Sequence, residues 1–231
     1  MASSRPSEQA VVAAAEKIMR DTMARYDPSH DAYHVERVRR TALRIADALP
    51  TPPDRLTVEL AALLHDVLDK KYVSAEQAAD PYAFFLPLFQ EMAEKHNVDL
   101  VADGRARAVA RIVDNVSWTT EKKLRAAGAW SEWHESCVEL HCVQDADRLD
   151  AIGAFGVLRC AAFSASTNRP LHTPPGDPQL DSSSIQHFHD KLVHIKDRLK
   201  TASGRAMGER RHQVLLDFMA AIEDEYEGKI P

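Results

Sequence analysis

Four side chains of types that bind metal ions are spread along the first two thirds of the chain: His34, His65, Asp66 and Asp147. His65 and Asp66 directly follow the apolar stretch 61–64, so the pair leaves a segment expected to be buried. A charged group in such surroundings is costly unless it is paired or bound to a metal ion. Two imidazoles and two carboxylates suit Mn²⁺, Fe²⁺, Zn²⁺, Co²⁺ or Ni²⁺ better than Mg²⁺, which prefers oxygen ligands.

The chemistry that such a site favours is hydrolysis. An octahedral ion held by these side chains keeps free positions for water or a phosphate oxygen, acidifies the water and polarises the phosphoryl group. Each part has a plainer explanation, because a His-Asp pair is common and Asp147 could pair with the neighbouring Arg148. The order His, His-Asp, Asp on successive helices is far more specific than its parts.

The elements that must position these residues are helices. Apolar residues recur at helical spacing, and the sequence has neither an alternating strand pattern nor a repeat. We therefore predict an all-α fold in a single domain over residues 1–231. The predicted helices cover residues 7–26, 31–49, 54–68, 106–116, 136–163, 185–199 and 208–227. Residues 78–103, which contain Pro81 and Pro87, are expected to form one or two short helices or a lid, and residues 164–184 a long loop.

The composition argues against several classes of protein. The 231 residues carry 29 Lys and Arg against 35 Asp and Glu, and this net charge of −6 gives no general basic field for nucleic acid or an anionic membrane. No apolar run approaches the roughly 18 residues of a membrane span, and the N-terminal residues contain no secretory signal pattern. Three cysteines without a CxxC spacing favour a reducing compartment. We therefore expect a cytoplasmic protein with a small-molecule substrate and no nucleic-acid or membrane partner.

Several segments resemble the HD-domain metal-dependent phosphohydrolases, a family named for its His, His-Asp, Asp set, and within it a YpgQ/YedJ-like branch. The segments that carry this resemblance are SHDAYHVERV at 29–38, LHDVLDKKY at 64–72 and QDADRLDAIG at 144–153. His187 with Lys191, and then Arg210-Arg211-His212, are similar to the C-terminal part of that branch. The similarity covers most of the chain from residue 29 to about residue 228.

The resemblance implies an all-helical HD fold, with a core at about 29–163 and C-terminal helices at about 185–228 packed on it. It implies one divalent metal ion, typically manganese with Fe, Zn, Co and Ni as alternatives. The implied ligands are His34, His65, Asp66 and Asp147. Members of the branch are linked to nucleotide pyrophosphohydrolysis, which releases pyrophosphate from a nucleoside triphosphate. A nucleotidase or phosphodiesterase of the same family is the alternative.

The last motif contains two acids, Asp145 and Asp147, which point to nearly opposite sides of a helix. Both cannot easily bind one ion, and the family pattern assigns the metal to Asp147. Asp150, one turn further on, is then a supporting residue or a packing partner.

Charged groups near the metal ligands are candidate catalytic and phosphate-binding residues. Asp69 follows the His-Asp pair by one turn, so on a continued helix it lies on the same face and can act as general base or acid. Pairing with Lys70 is the structural alternative for Asp69. Arg37, one turn after the first histidine, and Lys71, which matches the lysine of the family, can neutralise a triphosphate. Lys71 is also a candidate catalytic residue.

The C-terminal part adds further substrate-binding candidates. His187 and Lys191, together with His194, are predicted on one polar helix face that can meet a phosphate or a base. Arg211 is a candidate from the resemblance. An ordinary solvated face is the plainer explanation of the same spacing.

Two other classes of function stay open. A dinuclear-iron oxygenase of the HD type needs additional histidines, for which His96, His134 and His141 are the candidates. A non-catalytic module would use the pocket only to sense a nucleotide, although its intact ligand set argues against this. The apolar run 84–86 indicates a surface covered either by the chain itself or by a second subunit, which leaves a homodimer open.

Overall fold

The structure of the chain, a computed structural model, describes residues 6–68, 73, 74, 76 and 79–228. Every regular element over these residues is a helix and none is a strand, which confirms the predicted all-α class. The chain groups into two compact units, residues 1–26 with 31–144 and residues 27–30 with 145–231. The single domain over the whole chain stays a prediction.

The first unit is built around one central helix. Its elements are α1 (Pro6–Met23), α2 (Ala32–Asp47), α3 (Arg55–Leu64), α4 (Pro81–His96), α5 (Arg105–Asn115), α6 (Trp118–Ala126), α7 (Glu132–Ser136) and the first half of α8 (Val138–Asp150). α3 packs against α1, α2 and α5, and α4 packs against α1 and α5. Because α3 has neighbours on several sides, residues 60–64 are all fully buried. The core therefore leads directly to the His-Asp pair that follows α3.

The start of α2 and of α3 is fixed by an aspartate. Asp31, the N-cap of α2, accepts a hydrogen bond from the N–H of His34, and Asp54 caps α3 in the same way through Thr57. α3 ends at Leu64, earlier than predicted, because the chain tightens there into a turn in which the N–H of Val67 donates to the Leu64 carbonyl. The His-Asp pair therefore lies in a turn and not within a helix.

One 16-residue helix, α4, replaces the predicted short helices or lid. Pro81 lies in its first turn, where a missing N–H costs nothing, and Asp80 caps it. Pro87 lies inside the helix. Phe85 and Phe89 are fully buried in the core, and this packing stabilises the helix despite the interior proline.

The second unit contains residues 27–30, the rest of α8, α9 (Gly153–Ser166), α10 (Ser184–Asp190) and α11 (Ala202–Glu227). α9 packs against both α10 and α11. The single long helix predicted over 136–163 is wrong, because the chain breaks between α8 and α9. Gly153 has a φ of 76°, which L side chains rarely adopt, and a Cβ on Gly156 would overlap the carbonyl of Ala151. These glycines therefore permit a turn.

The helix predicted over 185–199 is also shorter than expected. α10 ends at Asp190, and three-residue 3₁₀ helices follow at 192–194 and 196–198. Leu192, Ile195 and Leu199 are buried, and their spacing of three or four residues suits such turns as well as an α-helix. Among the described residues no single helix has the length and apolar composition of a membrane span, and α8 with α9 meets that test only as a bent pair.

Candidate metal centre

The first turn of α2 places His34 inside the first unit. The Asp31 carboxylate accepts a hydrogen bond from the N–H of His34 at 2.8 Å, which fixes where the helix begins. Val35 and Val38 are buried on the same helix. The imidazole of His34 is 0% exposed, so its position is set by the core packing of α2.

The ring of His65 is oriented by the helix that precedes it. Its Nδ1 atom lies 2.8 Å from the carbonyl oxygen of Ala62. A carbonyl oxygen can only accept, so Nδ1 carries the proton and donates it. In the neutral ring Nε2 then carries the lone pair, which is the arrangement of a histidine that binds a metal ion.

His34, His65 and Asp66 converge. Oδ2 of Asp66 lies 3.3 Å from Nε2 of His34 and 3.5 Å from Nε2 of His65, and the centroids of the two rings are 5.4 Å apart. One ligand atom from each of the three residues lies within 4.8 Å of the others. Over the described part of the chain, this is the one group of three or more His, Cys, Asp or Glu side chains gathered in this way.

The chemistry of this donor set fits a divalent transition metal. The lone pair of His65 Nε2 and the carboxylate oxygen of Asp66 are both electron-rich, and they face each other at 3.5 Å. A positive charge between them, from a metal ion or from a ring proton, turns the repulsion into attraction. Imidazole nitrogen mixed with carboxylate oxygen is a ligand set that first-row transition ions accept.

The two acids of the last motif lie in the part of α8 that belongs to the second unit. Asp145 is 0% exposed, and it accepts hydrogen bonds from the N–H of Lys200 at 2.8 Å, the N–H of Thr201 at 2.8 Å and the Thr201 hydroxyl at 2.7 Å. A Cβ on Gly204 would overlap the same carboxylate. Asp145 therefore holds the start of α11, whereas Asp147 is half-buried.

The other charged residues of this motif also make contacts within the second unit. Nη1 of Arg148 donates to the carbonyl of Arg198 at 2.7 Å. Asp150 is buried with an oxygen 3.3 Å from Nη1 of Arg159, and Nε of Arg159 donates to the carbonyl of Ser29 at 2.6 Å. Asp150 thus acts as a packing partner for α9.

The structure places the predicted phosphate-binding residues in both units. Arg37 is half-buried on α2, in the first unit. In the second unit, His187 is half-buried on α10 and Lys191 is exposed at its C-terminal end. The single polar helix face predicted for these two with His194 is wrong, because α10 ends at Asp190 and His194 lies in a 3₁₀ helix.

Arg211 makes contacts that support the fold. Its guanidinium donates a hydrogen bond to the carbonyl of Leu149, near the end of α8. Its aliphatic stem packs so closely on Gly153 that a Cβ there would lie 3.0 Å from Cβ and Cγ of Arg211. Two candidates, Asp69 and Lys71, lie outside the described residues, as does Lys70, the alternative partner of Asp69.

The histidines considered for a second metal ion serve the protein framework or lie near a helix end. Nδ1 of His134 accepts from the N–H of Ser131 at 3.0 Å, and its Nε2 lies 3.1 Å from Oδ1 of Asn115. Nε2 of His141 donates to the carbonyl of His134 at 2.8 Å. His96 is half-buried at the end of α4.

Sequence reasoning missed a buried polar network in the first unit. Nε2 of Gln144 donates to the carbonyl of Asn115 at 2.7 Å and lies 3.4 Å from Oε2 of Glu121. Glu121 is only 3% exposed, and Nε of Arg125 donates to its Oε1 at 2.9 Å. The available signal was the i,i+4 spacing of Glu121 and Arg125. This network positions the half of α8 that precedes the two acids.

Comparison with known protein families gives a match over the part of the chain that contains the candidate metal ligands. The family model described as "HD domain" matches residues 31–152, just over half of the chain, which includes α2, the His-Asp pair and α8. The protein therefore belongs to the HD domain family. Its relatives include the uncharacterised protein YpgQ of Bacillus subtilis, which is 32% identical over 204 residues, covering 86% of this chain and 85% of YpgQ. The resemblance predicted from the motifs is confirmed.

Solved structures with the same fold cover nearly the whole chain. The crystal structure of B. subtilis YpgQ in complex with ADP has a TM-score of 0.69 at 25% identity and covers 95% of this chain and 96% of its own. An HD-superfamily hydrolase from Bacillus thuringiensis gives 0.69 at 25% identity, with 96% and 100% covered. The Lin1889 protein of Listeria innocua gives 0.69 at 26% identity, with 96% and 99% covered. The HD-superfamily hydrolase among them supports a hydrolase.

Proposed function

We propose that the protein is a metal-dependent phosphohydrolase that converts a nucleoside triphosphate and water into a nucleoside monophosphate and pyrophosphate. The observation that carries this proposal is the convergence of His34, His65 and Asp66 on one point at the end of the buried helix α3. Membership of the HD domain family and similarity to an HD-superfamily hydrolase support the hydrolytic chemistry.

His34, His65 and Asp66 would hold the ion, with Asp147 as the fourth ligand. The choice of Asp147 over Asp145 is supported by the three hydrogen bonds through which the buried carboxylate of Asp145 holds the start of α11. Manganese is the proposed ion, with Fe, Zn, Co and Ni as alternatives, because the mixed nitrogen and oxygen set suits all of them.

When bound, the ion would lower the pKa of a coordinated water and polarise the phosphoryl oxygen. The protein would contribute orientation and charge. His65 is held by its bond to the Ala62 carbonyl, so its Nε2 stays directed at the Asp66 carboxylate. Asp69 is the proposed general base or acid. Lys71 is proposed to neutralise charge on the reacting phosphates.

The substrate phosphates would meet further cations. Arg37 lies one turn after His34 on α2, and His187 and Lys191 lie at the end of α10. Arg211 is proposed as a weaker contributor, because its guanidinium also bonds the Leu149 carbonyl. The complex of YpgQ with ADP supports a nucleotide as the ligand class.

A cytoplasmic location and a homodimer stay predictions from the sequence. Of the apolar run 84–86, Phe85 is buried within its unit, whereas Phe84 is partly exposed.

The test is a product analysis on the whole chain. Metal-stripped protein is reloaded with Mn²⁺ and incubated with ribo- and deoxyribonucleoside mono- and triphosphates, while phosphate and pyrophosphate are assayed separately. Asp66→Asn is the site variant, and Asp21→Asn, an exposed residue paired with Lys17, is the matched control. We expect pyrophosphate and nucleoside monophosphate from the wild type and the control but not from Asp66→Asn.

Other outcomes would redirect the assignment. Phosphate and nucleoside from monophosphates would make the protein a nucleotidase. Activity only on bis(4-nitrophenyl) phosphate, a phosphodiester added to the same panel, would make it a phosphodiesterase. Two iron ions per chain without any phosphate product would favour the oxygenase. Nucleotide binding without turnover under every metal would overturn the enzymatic proposal in favour of a sensing module.

A further inference from the structure

The second unit contains a cavity of about 580 Å³. It lies between the loop that follows α9, the first turns of α10 and the second half of α11. This volume falls within the range of about 300 to 1,000 Å³ that is typical of small-molecule sites. The described residues that line it include none of the candidate metal or phosphate-binding residues, so the proposed reaction does not account for it.

The loop wall of the cavity is fixed by the protein's own hydrogen bonds. The hydroxyl of Ser184 donates to the hydroxyl of Ser164 at 2.6 Å in a buried contact that closes the base of the loop. The N–H of Ser184 donates to the carbonyl of Pro170 at 3.0 Å, and the N–H of Ile185 to that of Leu171 at 3.2 Å. The long loop predicted from the sequence therefore forms one wall of the cavity, and hydrogen bonds within the protein hold this wall in place.

α11 forms the other wall of the cavity through a row of apolar residues that ends in two glutamates. Leu216, Met219 and Ala220 line the cavity from the middle of α11, and Glu223 and Glu227 line it from the last two turns. These positions recur every three, four or seven residues, so they share one face. The C-terminal end of a helix carries partial negative charge, and the last turn of α11 contains no basic residue to offset it. The carboxylate of Glu223 therefore adds to a negative potential at this end of the helix.

The polar groups of the lining favour a positive ligand. Among the described residues no lysine or arginine lines the cavity, and the basic side chains of this described lining are two imidazoles, His172 and His189. The ring of Tyr226 is 55% exposed and lies 4.4 Å from the ring of His172, centroid to centroid. An aromatic face beside carboxylates attracts ammonium groups.

A buried hydroxyl in the lining also calls for a partner. Thr173 is only 8% exposed, and its Oγ1 has no hydrogen-bond partner among the described residues. A buried hydroxyl without a partner is unfavourable. A ligand with a hydrogen-bonding group at this depth would satisfy it, which is a second reason to regard the cavity as a binding site.

We propose that this cavity binds an amphipathic organic cation, a molecule with an ammonium group and an apolar tail. The tail packs against Leu216, Met219 and Ala220, and the ammonium group lies near Glu223 and Glu227. This ligand class is opposite in charge to a nucleotide, so the site is separate from the proposed phosphohydrolase chemistry and its test does not depend on that proposal.

The experiment is isothermal titration calorimetry on the full chain with two probes of the same carbon skeleton, 4-phenylbutan-1-amine and 4-phenylbutanoate. We expect the amine to bind at least about tenfold more tightly than the carboxylate. The double variant Glu223→Gln with Glu227→Gln should weaken amine binding about tenfold. The matched control, Glu209→Gln with Glu225→Gln on the same helix but outside the lining, should leave it unchanged.

Ala220→Trp, which fills the cavity, should abolish amine binding while circular dichroism reports an intact helical fold. If this variant does not fold, the two glutamate pairs still decide the question. Absence of amine binding, equal affinity for both probes, or an equal effect of the two glutamate pairs would each overturn the proposal.

Discussion

Oδ2 of Asp66 lies 3.3 Å from Nε2 of His34, although the whole of α3 separates the two residues in the chain. The contact depends on two helix ends: the first turn of α2, fixed by Asp31, and the turn that follows α3. The geometry of the centre is therefore set by where α2 begins and where α3 ends. The first boundary is fixed by the side-chain cap of Asp31, and the second by the turn in which the N–H of Val67 donates to the Leu64 carbonyl.

We expect Asp66→Asn to lose bound metal. The neutral amide offers only its carbonyl oxygen, a weaker ligand than a carboxylate, so the centre loses one of its two proposed anionic ligands. Metal analysis after reconstitution with Mn²⁺ and gel filtration should find about one ion per chain in the wild type and a small fraction of that in the variant. Retention of a full equivalent by Asp66→Asn would contradict the proposed ligand set.

We expect substitution of Asp145 to affect the stability of the fold and substitution of Asp147 to affect metal binding. Asp145→Asn replaces one carboxylate oxygen by an NH₂ group, so either the N–H of Lys200 or the N–H and hydroxyl of Thr201 lose their acceptor. We therefore expect a loss of about 2–4 kcal/mol in the free energy of unfolding. Asp147→Asn should change that free energy little but lower the metal content. Urea unfolding and metal analysis of both variants check this, and the reverse pattern would move the metal to Asp145.

Gly153→Ala should destabilise the protein more than Gly128→Ala. Both glycines have positive φ, 76° and 66°, so both substitutions incur backbone strain of about 1 kcal/mol. Only at Gly153 does the new Cβ meet a neighbour, at 3.0 Å from Cβ and Cγ of Arg211, whereas Gly128 has open space. We expect a further loss of about 1–2 kcal/mol at Gly153 in urea unfolding. Equal losses would mean that Arg211 moves aside freely.

The stability of the second unit should fall as the pH drops through the range in which His187 titrates. Burial, followed by the charges of Lys191 and Arg169, lowers the pKa of His187 below its ordinary value of 6.5. Between the folded pKa and 6.5 the unfolded chain binds more protons, so the free energy of unfolding rises with pH across that window. Unfolding curves of wild type and His187→Gln should diverge in slope there. Parallel pH dependence would show that His187 is not the group responsible.

His134→Phe should lower the free energy of unfolding but leave the metal content of the protein unchanged. Its ring nitrogens contact the N–H of Ser131 and the side chain of Asn115, and the phenyl ring leaves both groups without their partner. We expect a loss of about 2–3 kcal/mol in the free energy of unfolding with metal content unchanged. Loss of one of two ions per chain would instead support a dinuclear centre.

The sequence predicted the fold class and the convergence of His34, His65 and Asp66 well, because both follow from local signals. Asp31 is an N-cap whose side chain fixes the register of His34, and the apolar residues before His65 recur at helical spacing and are buried in α3. The positions at which one helix ends and the next begins were harder to predict. The turn after Asp150 depends on Gly153 meeting Arg211, a residue far along the chain, and no local pattern encodes that contact.

Contacts between residues that are distant in the chain also explain the errors at α4, which contains Pro87, and at the C-terminal end. Pro87 is accommodated because Phe85 and Phe89 are buried on either side of it, which is a tertiary effect. The role of Asp145 was equally hidden, since its hydrogen-bond partners at residues 200 and 201 lie in another element. Long-range partners, and not local propensity, decided each of these cases.

The carboxylate of Asp145 occupies the space that any side chain at position 204 would need. These two positions are therefore not free to diverge independently. Among homologues, aspartate at the first should be inherited together with glycine at the second, and a change at either should be accompanied by a change at the other. Such a pair would stand out as co-evolving although its members are distant in the chain, and it would report the attachment of α11 to α8 rather than any step of catalysis.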